Sequence, residues 1–166
     1  MTPAELLIDS FERVREGALA AIDGLSEEQL AHRIAPDANS IAWLIWHAYR
    51  VQDDHLADAA GLQQVWAARG FIEFFDLDLD EDDTGYGHTP KQVGKVRASA
   101  ELLARYVEAT HKQTLAWVGG LTPEHLDRVV DTSWDPPVTL GVRLVSVVND
   151  DTQHIGQAAY LRGLLD

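Results

Sequence analysis

Residues 139–165 read TLGVRLVSVVNDDTQHIGQAAYLRGLL, and their spacing decides the fold class. Leu144, Val147, Val148, Ile155, Ala158, Leu161 and Leu165 recur at three- and four-residue steps. That period puts one apolar stripe on an α-helix. Two residues inside the stripe do not belong in oil. Asp150 and His154 are four apart, so they stack on one face beside Val147 and Ala158. Burying a carboxylate with nothing bound to it costs on the order of several kcal/mol. The stretch therefore asks for a partner, and a metal ion is one candidate. A pair on the helix surface is the other reading of this spacing, and the apolar neighbours weigh against it.

Residues 40–60, SIAWLIWHAYRVQDDHLADAA, make the same offer. Trp43, Leu44, His47, Val51 and His55 share a face at helical spacing, with His47 at its apolar centre and His55 toward its polar end. A lone histidine on such a face is more often a core residue than a ligand, so the combination matters more than any member. The expectation is that His47, Asp150 and His154 converge on one divalent metal. Two imidazoles and one carboxylate leave at least one position open for water or substrate, which is the catalytic rather than the structural arrangement.

Composition bounds the rest. The 166 residues amount to one domain, 1–166, long enough to bury a full core. Apolar residues at 46% and charged residues at 24% suit a soluble globular protein. A net charge of −14 argues against nucleic acid and against anionic membrane surfaces, which both need clustered Lys and Arg. No apolar run reaches the roughly 18 residues that span a bilayer. The N-terminal stretch MTPAELLIDSFERVREG is an acidic-start amphipathic helix rather than a signal peptide, so cytoplasmic residence is expected. Zero Cys excludes a disulfide framework, a thiolate ligand and a Cys nucleophile.

Working back along the chain, Thr2 and Pro3 open a first helix that ends near Ile22 and Gly24. Ser26 and Gln29 have capping-box spacing and predict a short helical turn. Ser40 or Asn39 caps the second long helix. From Gly61 to Pro90 the pattern weakens, and DLDLDEDDTGYGHTP predicts a long surface loop of the kind that covers a site. Thr89 and Pro90 are expected to open a third long helix running to Gly119–Gly120. Gly24-Leu25-Ser26-Glu27-Glu28-Gln29-Leu30 matches Gly120-Leu121-Thr122-Pro123-Glu124-His125-Leu126, so helix, capped turn and helix repeat. Two such halves about a pseudo-twofold axis make a four-helix bundle, where facing helices commonly build metal sites. Aligning Ser40 with Thr139 sets His55 rather than His47 opposite His154, which makes His55 the reserve ligand.

The remaining polar residues have blander readings. His32, His88, His111 and His125 sit in turns, loops or polar contexts and are expected at the surface. Asp53 and Asp54 are either solvated or orient an imidazole N–H. Arg50 pairs with one of them or meets an anionic substrate. Trp43 and Trp46 belong in the core, and Tyr49 and Tyr86 are candidate wall residues. The acidic run Asp76, Asp78, Asp80, Asp82, Asp83 fails as a calcium loop, with Glu81 where Gly is needed and Gly87 where a bidentate Glu is needed.

Three stretches carry a family resemblance: SIAWLIWHAYRVQDDHLA with its Trp-His step, GYGHTPKQVGKVRASAELLARY, and VVNDDTQHIGQAAYLRGLL. The chain resembles the DinB-like superfamily, in the branch that holds the metal-binding domain of mycothiol-dependent maleylpyruvate isomerase. The resemblance implies an all-α four-helix bundle with a pseudo-twofold internal repeat, a homodimer, and a divalent metal on three side chains. Its ligand positions fall on His47, Asp150 and His154, although close relatives carry Glu, one methylene longer, where this chain has Asp150. Zinc is the first expectation for the metal, and nickel, iron or manganese suit the same donors. The implied activity is transfer, conjugation or isomerisation with a low-molecular-weight thiol, of mycothiol or bacillithiol type, acting on an electrophilic substrate. A metal can lower the pKa of such a thiol, and Asp54 or His55 is the candidate proton acceptor. The alternatives are a metal-dependent hydrolase and a non-catalytic metal-binding bundle.

Overall fold

Side-chain caps set where the helices begin. In the computed structural model, which describes residues 1–165, Thr2 Oγ1 accepts from the Glu5 N–H at 3.1 Å and Glu5 Oε2 accepts from the Thr2 N–H at 2.7 Å. This reciprocal box opens α1, Pro3–Ile22. A second box, Ser26 with Gln29, opens the single turn α2, Glu27–Leu30. Ser40 caps α3, Ile41–Ala60, which ends on Gly61 in the left-handed conformation. Two short helices follow, α4 (Val65–Ala68) and α5 (Phe71–Phe75), and then the acidic loop expected from the sequence.

The third long helix does not begin where the sequence predicts. Thr89 and Pro90 open only the turn α6, Pro90–Val93, which stops at Gly94. Ser99 then caps α7, Ala100–Val118, by accepting from the Leu102 N–H at 3.2 Å. The connecting residues are not helical because Val96 and Ala98 are drawn into the core, while Lys95 reaches outward to Asp78 at 2.7 Å. After the turn α8, Pro123–Leu126, a small antiparallel hairpin pairs β1 (Val129–Asp131) with β2 (Val138–Thr139). Thr139 caps α9, Leu140–Arg162.

The four long helices form the bundle. α3 packs on α9 and α7, and α1 packs on the same two, so the order around the ring is α1, α9, α3, α7. The run α7–α8–α9 repeats α1–α2–α3, which is the expected pseudo-twofold in an all-α fold. α3 is enclosed on nearly every side: fifteen of its twenty residues are buried. A helix this deeply buried has to be covered on most sides, and α4 and the acidic loop pack on it beside α7 and α9.

The repeat leaves one carboxyl stranded. Matching the caps Ser40 and Thr139 pairs Gln52 with Asp151. Gln52 donates its amide to Thr114 Oγ1 at 2.7 Å. Matching Ser99 with Thr2 puts Gly17 where Thr114 stands, and a side chain at Gly17 would meet Ile155 Cγ2 at 2.7 Å. Asp151 is fully buried, with neither carboxyl oxygen hydrogen-bonded among the described residues. Burial first, and the neighbouring Asp150 second, push its pKa well above the usual carboxylate value.

A folded-state pKa above the unfolded one means that stability is intact in acid and is lost as pH rises toward the folded value. Asp151→Asn keeps the shape and removes the charge. Its advantage over the parent is expected to grow by up to about 1.4 kcal/mol per pH unit above about pH 4. Urea unfolding at about pH 5 and pH 8 checks this; an equal gap at the two pH values would contradict it.

Candidate metal centre

The interface of α3 and α9 brings the predicted ligands together. His47, Asp150 and His154 each offer a ligand atom, and these atoms lie within 4.8 Å of one another. His154 Nε2 stands 3.6 Å from Asp150 Oδ1. Around a tetrahedral zinc, donors at about 2.0–2.1 Å sit roughly 3.3 Å apart. One pair is therefore almost at spacing, and the third donor needs a shift of at most about 1.5 Å.

The hydrogen bonds around the two imidazoles fix which nitrogen faces inward. His47 Nδ1 donates to the carbonyl of Thr84 at 2.5 Å. His154 Nδ1 donates to Gln157 Oε1 at 3.1 Å. Each ring thus keeps its proton on Nδ1 and leaves Nε2 as the lone-pair nitrogen, and that of His154 stands beside Asp150. Metal-ligating histidines are normally held this way, through the ring nitrogen that does not bind. Asp150 Oδ2 is enclosed and has no hydrogen-bond partner among the described residues. Two lone pairs and an orphaned carboxylate oxygen facing one another are repulsive until a cation lies between them. The donor set and the unpartnered oxygen therefore fit a divalent ion. Burial holds the His47 pKa below the ordinary histidine value, against the pull of the Thr84 carbonyl, so the ring is neutral and available as a donor.

The wall of the site comes from α3 and from the acidic loop. Trp43 stacks on His47, with ring centroids 4.5 Å apart and planes at 15°, and meets His154 edge-on at 6.1 Å. Its indole N–H donates to His88 Nδ1 at 3.0 Å, and His88 Nε2 donates to the Asp83 carboxylate at 2.9 Å. The Asp83 Oδ1 also accepts from the Gly85 N–H at 2.7 Å. A second set of bonds pins the loop from the other side. Arg50, fully buried, donates to the carbonyls of Asp83 at 3.2 Å and Asp82 at 3.4 Å, and Trp66 Nε1 donates to Glu81 O at 2.8 Å. The loop is a strap, and its position presents the Thr84 carbonyl to His47.

Several expectations need correction here. His88 is no surface residue: its side chain is 2% exposed. His111 is buried as well and stands 3.4 Å from Glu12, whereas His32 and His125 are exposed as expected. Asp53 is not solvated; it accepts from the Val65 and Trp66 N–H groups at 2.8 and 2.7 Å and so caps α4. Arg50 turns to it at 3.9 Å and to the strap, with no face left for substrate. Tyr49 is buried in the core and Tyr86 is almost wholly exposed, so neither lines the site. The structure does not bring Asp54 or His55 into the three-ligand cluster. His55 lies eight residues past His47, about 12 Å along the helix. Its Nδ1 accepts from Arg143 at 3.3 Å, and Arg143 also holds Asp131 at 2.7 Å. Asp54 accepts from Gln64 at 2.8 Å. Thr84, Gly85 and Gln157 were not singled out by the sequence, and His88 was placed at the surface. Only Gln157, three residues past His154 on the same helix, left a signal in the spacing.

Gly85 and Gly87 both have positive φ, at 90° and 71°, so alanine is strained at either. A side chain at Gly87 meets nothing within 4 Å, whereas at Gly85 it meets His47 Nδ1 at 2.8 Å and Trp46 at 3.0 Å. Gly87→Ala is expected to cost about 1 kcal/mol. Gly85→Ala is expected to cost at least about 1 kcal/mol more and to weaken zinc binding about tenfold, by displacing His47 or the strap. Urea unfolding and zinc competition against a chromogenic chelator check this; equal behaviour of the two variants would contradict it.

Comparison with known proteins agrees with this architecture. No curated protein matches the chain. The crystal structure of a conserved protein from Enterococcus faecalis superposes with a TM-score of 0.91 at 31% identity, over 98% of this chain and 96% of that one. The family model described as mycothiol S-transferase matches residues 6–166. The chain therefore belongs to the mycothiol S-transferase family, a DinB-like family.

Proposed function

We propose that the protein is a divalent-metal-dependent S-transferase that uses a low-molecular-weight thiol, with His47, Asp150 and His154 holding the metal. The observation that carries this reading is the pair of imidazoles tied through Nδ1, each leaving Nε2 free, in one cluster with Asp150. A divalent cation held there supplies Lewis acidity that lowers the pKa of a thiol and keeps it as the thiolate at neutral pH. The three protein donors leave room for the thiol beside them. Zinc suits two nitrogens and one oxygen, as do nickel, iron and manganese.

The chain's own residues position and shield. Trp43 closes one wall against both imidazoles. Thr84 and Gln157 hold the rings in orientation, so the Nε2 atoms need little rearrangement when they bind. The protein has no Cys, which accords with a nucleophile brought in by the cosubstrate. Asp54 and His55, the proton acceptors expected from the sequence, already serve as acceptors for Gln64 and Arg143, so deprotonation of the thiol is assigned to the lowered pKa.

Cobalt-substituted protein tests the reading. Mycothiol added to the cobalt form is expected to give a sulfur-to-cobalt charge-transfer band. His154→Ala is expected to lose the metal and the band while its far-ultraviolet circular dichroism keeps the helical signal. Metal uptake with no band would favour a hydrolase or a non-catalytic bundle, and no metal uptake by the parent would sink the proposal.

A further inference from the structure

Beside the three-ligand cluster lies a groove of about 590 Å³, between the segment before α3 and the C-terminal half of α9. Its polar lining is Asp37, Asn39, Gln153 and Gln157, and it contains neither Lys nor Arg. Such a surface repels anions and offers amide and carboxylate partners to hydroxyl groups. Gln157 Oε1 is occupied by His154, which leaves its amide N–H groups to donate. Gln153 donates its own amide to Asn149 O at 3.3 Å, which leaves its carbonyl to accept. A donor and an acceptor thus stand one helical turn apart, and a hydroxyl, which both donates and accepts, satisfies both.

The same groove has an apolar side. Leu44 and Leu161 lie at its base, and Tyr160 on its rim is 67% exposed. Gly156 is one turn before Tyr160, and a side chain there would meet nothing within 4 Å. The space next to the Tyr160 ring is therefore open. A flat aromatic edge beside paired amides suits a polyol ring, which has C–H faces and a hydroxyl perimeter.

We infer that this groove binds the uncharged polyhydroxylated portion of the thiol cosubstrate while its sulfur sits at the His47–Asp150–His154 cluster. The inference rests on the proposed function and adds the recognition of the sugar to it. The dimensions agree. Gln157 is three residues past His154, about 4.5 Å along the helix. In a cysteinyl amide of an amino sugar the ring begins about 6 Å from the sulfur by ordinary bond lengths. Gln157 touches both regions, so a sugar in the groove contacts the residue that orients His154.

Calorimetric titration of zinc-loaded protein with mycothiol and with N-acetylcysteinamide, a neutral thiol without the sugar, tests this. Mycothiol is expected to bind at least about tenfold more tightly. Tyr160→Ala is expected to remove about tenfold of mycothiol affinity and to leave N-acetylcysteinamide unchanged. Gly156→Leu starts from a Cβ position that meets nothing within 4 Å and is expected to weaken mycothiol alone while unfolding no earlier than the parent. Equal affinity for the two thiols, or variants that weaken both alike, would overturn the groove and leave the metal–thiol reading standing. If neither thiol binds but thiol-free glucosaminyl-inositol does, and Tyr160→Ala weakens it, the groove stands as a sugar site and the S-transferase reading falls. If none of the three binds, both fall.

Discussion

The hydrogen bond from His47 Nδ1 to the carbonyl of Thr84 is the constraint on which the site depends. A histidine on the face of a buried helix can serve as a core residue with either nitrogen protonated. The Thr84 carbonyl removes that freedom and aims Nε2 at α9. The carbonyl is in place only because the strap is held at several points, by Arg50, Trp66 and the chain from Trp43 through His88 to Asp83. Much of the buried polar chemistry of α3 thus converges on placing one backbone oxygen. Gly85 belongs to the same constraint, because a side chain would occupy the space in which the strap approaches the imidazole.

Adjacent acids on α9 show how the bundle divides its tasks. Asp150 turns toward α3 and the two imidazoles, where a cation would compensate it. Asp151, one residue on and about 100° around the helix, turns into the core with no hydrogen bond. The pseudo-twofold gives Gln52 a hydroxyl partner at the equivalent place and gives Asp151 none. Asymmetry also defines the cluster. The repeat would match His55 with His154, but His47 is the residue that faces His154, with ring centroids 4.8 Å apart. The site is built across the helix interface and not copied by the repeat.

Most of the fold was legible because caps and periodicity are local. Thr2, Ser26, Ser40 and Thr139 each mark a helix start through a bond to a residue three positions on, and the apolar stripes follow the helical period. The break between α6 and α7 was not legible. Thr89–Pro90 is a good helix start, and the helix stops after one turn at Gly94, with Val96 and Ala98 then drawn into the core, a tertiary effect. The three clustered residues were found because two share a helix face at four-residue spacing and the third lies at the apolar centre of another face. The supporting residues were hidden for the opposite reason. Thr84 acts through its backbone, His88 sits in a loop without periodicity, and Asp53 caps a helix twelve residues away. Long-range polar contacts of this kind leave no pattern in the chain.

Anomalous scattering at the zinc absorption edge, from crystals grown with zinc, addresses the central claim most directly. The account predicts one strong peak about 2 Å from Nε2 of His47, Nε2 of His154 and a carboxylate oxygen of Asp150, with Nδ1 of His47 still bonded to Thr84. A peak elsewhere, or an empty cluster with His154 Nε2 bonded directly to Asp150, would contradict it.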